Sequence, residues 1–170
     1  MYPAPLATCF VYFVFSGCLN AIKTHLPDAV HILDRFHIVK LLNEAVDKVR
    51  RQEAAQLRKE GIDLLKGLKY VFLKRPENLT ERQEESLQGI INKSWLRSVR
   101  AYLWKEKFQL FWQYNSPYWA QWYLTRWCKG AMRSRLAPLK TFVGTIREHE
   151  ALIMNWFKTK NSFPAAPWKG

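Results

Sequence analysis

The chain has 170 residues, with 27 Lys and Arg against 14 Asp and Glu, for a net charge of +13. At 48% hydrophobic and 15% aromatic residues it is too apolar for a disordered chain, and long enough for one domain, or one domain with an appendage, with a sizeable core. The basic excess, with a pI near 9.9, points to a polyanionic partner, nucleic acid first and an anionic membrane second. Cys9, Cys18 and Cys128 form no CxxC pair and no zinc spacing, which argues against a disulfide framework and for free thiols in a reducing compartment.

Residues 1–18 form an atypical apolar leader: no charge precedes Lys23, and Cys9 to Phe15 is an apolar run. It lacks the basic start and cleavage site of a signal peptide, and about a dozen apolar residues are short for a bilayer span. Leu19 to Leu26 reads as a short helix stopped by Pro27, and Val30 to Leu33 as a buried strand. From Phe36 the period changes. Phe36, Val39, Leu42, Val46 and Val49 recur at helical spacing, in a helix running to about Arg58. Asp34 therefore lies where a strand hands over to a helix. Two readings follow: an N-cap for that helix, or a carboxylate at the mouth of a catalytic or metal-binding crevice.

On the same helix, Glu44 with Lys48 and Asp47 with Arg51 form i,i+4 pairs, and Lys48, Arg50 and Arg51 leave a basic excess that hints at phosphate. Gly61 and Gly67 interrupt the pattern. Lys69 to Lys74 (KYVFLK) then reads as a short strand, the last of the core. Thr80 with Gln83 forms a capping box that opens a helix to about Asn92. Ser94 opens a second helix reaching about Tyr114, Ser116-Pro117 a third ended by Gly130, and Pro138 a fourth that carries Phe142, Ile146, Leu152 and Trp156. The Pro- and Gly-containing residues 161–170 read as a loose tail.

The stretch Asp34-Arg35-Phe36-His37-Ile38-Val39-Lys40-Leu41-Leu42-Asn43 resembles the second-aspartate motif of bacterial insertion-sequence transposases of the ISL-three group, which are DDE enzymes with a ribonuclease-H-like core. Leu68 to Thr80 and Ser134 to Lys140 resemble later blocks of the same family, so the likeness runs from about Leu19 to about Lys160. It implies a mainly α chain with a small α/β part: a partial ribonuclease-H-like core over 19–76, then an all-α helical insertion over 77–160. It also implies DNA cleavage and strand transfer, with acidic side chains holding two Mg²⁺ ions roughly 4 Å apart. Asp34 would be the catalytic, metal-binding second carboxylate, and His37 either a neighbour of the site or a structural histidine.

The sequence departs from the family where the other two ligands are expected. No Asp precedes Asp28, and residues 160–170 hold no Glu-Gly-x-Asn-Asn-like segment. The expectation is a truncated, catalytically incompetent fragment that binds no Mg²⁺ productively. As a bacterial transposase-family protein it is expected in the cytoplasm, associated with the nucleoid. Its partners would be DNA at transposon ends and another copy or a full-length transposase, with no membrane.

The alternative is a non-catalytic basic helical module that binds DNA or a transposase. Lys129, Arg133, Arg135 and Lys140, beside a helix start at Pro138, are its candidate phosphate contacts. The aromatic run from Trp95 to Trp127 allows helix packing or base stacking. A third reading, a membrane-associated protein led by Cys9 to Phe15, is the least supported.

Overall fold

The computed structural model describes residues 10–12 and 30–159, with side chains from 30 to 158. Strands β1 (Phe10–Tyr12) and β2 (His31–Leu33) pair in parallel, with Phe10 beside His31 and Tyr12 beside Leu33. Everything else with regular structure among the described residues is helical. The chain is mainly α, as its periodicity requires. The expected helix at 19–26, the leader's other residues and the tail lie outside the described residues.

The long helix α1 (Arg35–Lys59) follows β2 directly. Its buried face is Ile38, Leu42, Ala45, Val46, Val49 and Leu57, each recurring after three, four or eight residues. Phe36, which the sequence pattern put on this face, is 68% exposed, because it lies two residues before Ile38 and so on nearly the opposite side. A turn follows in which Gly61 and Gly67 both take φ +76°, a backbone state that side-chain-bearing residues avoid.

Residues 69–74 correct the sequence reading. Lys69–Leu73 is a short helix, α2, not a strand. A strand would send Val71 and Phe72 to opposite faces. Here both are buried against the same core, while Lys69 and Tyr70 face solvent. A distant residue completes the turn: the buried Lys105 ammonium donates to the Lys74 carbonyl at 2.9 Å. That tertiary contact overrides the strand-like composition.

A 3₁₀ turn, Pro76–Asn78, leads to α3 (Glu81–Ile91), opened by the expected capping box: Thr80 Oγ1 accepts from the Gln83 amide, and the Gln83 side chain accepts from the Thr80 amide. Helix α4 (Arg97–Gln109) begins three residues later than Ser94, which does not open it. Its cap comes from α1. Glu53, buried, accepts from the Arg97 and Ser98 amides at 2.7 Å each and from Ser98 Oγ at 2.6 Å.

A 3₁₀ segment, Leu110–Gln113, connects to α5 (Pro117–Arg133), with Pro117 in the first turn as expected. Gly130 does not end α5. A methyl there would come within 2.5 Å of Trp104 Cη2, so the glycine lets α4 and α5 approach while the helix runs on to Arg133. The expected fourth helix is two: α6 (Ala137–Glu148) and α7 (Glu150–Thr159), parted at His149.

One hydrophobic cluster runs from Leu33 to Phe157. Its centre is aromatic: Phe108 meets Trp127 edge-on at 4.8 Å and Phe142 at 5.5 Å, and Phe111 meets Phe157 at 4.8 Å. Packing therefore accounts for Trp104, Phe108, Phe111 and Trp127. Helix α7 also covers β2, where Asn155 Nδ2 donates to the His31 carbonyl at 2.8 Å.

Candidate active site and nucleic-acid interface

β2 ends at Leu33 and α1 starts at Arg35, so Asp34 occupies the hand-over. Its backbone is extended and its Oδ1 accepts the Phe36 amide at 3.1 Å, so it is an N-cap. The cap and the crevice position are compatible: the residue that caps the helix also stands at the carboxyl end of a parallel strand.

Arg35, next along, spans Trp112 with its guanidinium 5.4 Å from the ring centroid, and its Nε is shielded from solvent without a hydrogen-bond partner. Burial first, and the charge of Arg75 second, lower the Arg35 pKa. The positive charge of Arg75 is thus felt at Arg35, the residue that follows Asp34. Arg75 is partly offset by Glu77 at 3.8 Å. His37 is half-buried on α1.

Among the described residues no three His, Cys, Asp or Glu side chains gather where they could hold a metal ion. Asp34 offers a single carboxylate, one oxygen of which is engaged by the cap. Two Mg²⁺ ions need several oxygen ligands, and the described residues do not by themselves fit such a centre.

The expected basic residues fall into two groups. On α1, Arg50 and Arg51 both bind Asp47, at 2.8 and 3.1 Å, and Lys48 is exposed. Their charge is therefore partly neutralised in place. Elsewhere, Arg133 and Arg135 line an open groove of about 520 Å³, together with Arg100, Leu103, Trp104 and Lys107 of α4. Lys129 and Lys140 are exposed but do not line it. Sequence reasoning missed Arg100 and Lys107. Their seven-residue spacing, two helical turns, was the available signal.

A family model for transposases, that of the ISL-three group of DDE enzymes, matches residues 14–164. The chain belongs to this transposase family. It is also 29% identical over 157 residues to the transposase for insertion sequence element IS1557 from two strains of Mycobacterium tuberculosis, an alignment that covers 79% of this chain and 35% of each relative. This family member thus spans about a third of the length of those relatives. No solved structure matches it significantly. No helix of the described residues in this transposase-family chain is long and apolar enough to cross a membrane.

Proposed function

We propose that this transposase-family chain acts in DNA transposition, with Asp34 as the second metal-binding carboxylate and basic surfaces that hold DNA near transposon ends. The observation that carries the reading is the position of Asp34, at the carboxyl end of a parallel strand inside a motif of a DDE family. On this reading residues 19–76 are part of a ribonuclease-H-like core and 77–160 a helical insertion packed against it. His37 and Arg35 lie beside the reacting phosphate, and Lys48, Arg50, Arg51, Lys129, Arg133, Arg135 and Lys140 serve the DNA backbone. Mg²⁺ would supply nucleophile activation and leaving-group stabilisation once further carboxylates joined Asp34. The working place would be the nucleoid, and another transposase copy the natural partner.

A second reading rests on the lone carboxylate: a non-catalytic basic module that binds DNA or another transposase. Duplex binding and strand transfer, measured on the native chain and on Asp34→Ala, separate the two. Loss of strand transfer with duplex affinity kept supports the catalytic role. Indifference of both activities to Asp34→Ala supports the module. A chain that binds no DNA at any salt concentration defeats both.

A further inference from the structure

The sequence makes α5 unusual: its seventeen residues, PYWAQWYLTRWCKGAMR, include three cations and no carboxylate. Trp119, Trp122, Arg126, Lys129 and Arg133 follow one another at three- and four-residue steps, so they share one face, and all five are exposed. Trp119 and Trp122 are 52% and 44% exposed, against 4% for Trp127 on the opposite side. Core packing explains Trp127 and leaves these two rings without an account. Their arrangement is ordered: the rings stand edge-on at 5.9 Å, and the Arg126 guanidinium lies 4.9 Å from the Trp122 centroid.

This face runs into the basic groove, since Arg133 belongs to both. None of Arg100, Lys107, Arg133 and Arg135 forms an ion pair with a described residue, and Arg100 Nε is shielded from solvent without a hydrogen-bond partner. Four cations without an ion-pair partner around an open groove concentrate positive potential there, which attracts an anion.

Arg135 adds an independent observation. It follows Ser134, the C-cap of α5, and has φ +61°, the left-handed state that helix ends commonly give to glycine. Glycine would take this backbone state at lower cost, so the arginine is not there for the turn's geometry.

We propose that the exposed face of α5 and the groove at its end form a track for an unpaired DNA strand, with bases stacked on Trp119 and Trp122 and the phosphate backbone held by Arg126, Lys129 and the groove cations. Rings interleaved with cations are how sequence-tolerant single-strand binders work, because every base has a stacking face. Trp119 to Arg133 spans about 21 Å of helix, the rise of about six stacked nucleotides. A second copy of this chain is a poor occupant, because it would bring another strongly positive surface. The proposal rests on the DNA reading above and narrows it to single strands.

The test is fluorescence anisotropy of labelled oligo(dT) and of a duplex of equal length, with the full chain in moderate salt. Trp119→Ala with Trp122→Ala should weaken oligo(dT) binding about tenfold or more and change duplex binding less than about twofold. Arg135→Gly should weaken oligo(dT) binding while the melting temperature stays equal or rises, which a structural role for the side chain would not produce. Lys59→Gln with Lys66→Gln, both exposed and outside the groove, serves as the charge-loss control and should weaken oligo(dT) binding less than Arg135→Gly alone. Equal loss on both DNAs, no loss on either, or a change only in sedimentation (which would mark a protein interface) overturns the track. Failure of the native chain to bind either DNA overturns the DNA reading itself.

Discussion

Removing the Glu53 carboxylate tests how α4 is held. Glu53 is 5% exposed, lies on α1, and accepts three hydrogen bonds at the start of α4, with Arg97 Nε a further 3.7 Å contact. The N-cap residue of α4, Leu96, contributes no side-chain cap. In Glu53→Ala the Arg97 and Ser98 amides and the Ser98 hydroxyl lose their acceptor, and buried donors without acceptors cost about 1–3 kcal/mol each. Because the three bonds share one carboxylate, the expected loss is about 3–5 kcal/mol, as for removing one partner of a buried charged pair. For a chain of this size that is a fall in Tm of about 6–20 °C, read by circular dichroism at the helix band. Ser98→Ala alone should cost about 1–2 kcal/mol, and the double variant little more than Glu53→Ala, since the two act through one site. A Glu53→Ala chain that melts within about 2 °C of the native one refutes the assignment of Glu53 as the cap of α4.

Asp34→Ala should lower stability by only about 1 kcal/mol, the worth of one N-cap, so a loss of strand transfer in that variant cannot be blamed on unfolding; thermal melting checks this. Burial, then the nearby Glu106, raises the Tyr102 pKa from 10.0 to about 12. The folded chain keeps that proton after the unfolded chain has lost it, so stability present below pH 10 should fall as the pH rises from 10 through 12; denaturant melts across that window test the sign. Burial also lifts the Cys128 thiol from 9.0 to about 11. In a Cys9→Ser, Cys18→Ser background, the remaining thiol should react at pH 8 about 100-fold more slowly folded than unfolded, measured with a chromogenic disulfide reagent. Gly130→Ala should cost about 1–3 kcal/mol despite its better helix propensity, because Trp104 must leave its seat; the melting temperature and the tryptophan emission report it.

Patterns confined to one or two turns were legible in the sequence. Asp34 at the hand-over, the Thr80–Gln83 box, Pro117 in its first turn and the Asp47–Arg51 pair all depend on residues within four positions of each other, and all stand in the structure. What was not legible depends on distant partners. Lys69 to Lys74 has strand-like composition, and only Lys105, more than thirty residues on, reveals the helix end that it completes. Gly130 looks like a helix stop until Trp104 is laid on it. The start of α4 was misplaced because its cap belongs to another helix. For the site, local pattern located Asp34 and half of the basic groove; Arg100 and Lys107 join it only once α4 lies beside the turn after α5.

The bond from Asn155 to the His31 carbonyl has a consequence for synthesis. The two residues are 124 positions apart, and at about 5–20 residues per second the ribosome needs roughly 6–25 seconds to supply the second after the first. During that interval β2 has no α7 to cover it, while α1, α4 and α5 can already pack together. The strand that carries Asp34 is therefore among the last parts to settle. A nascent chain can complete its basic helical surface before the strand that leads into Asp34 is covered.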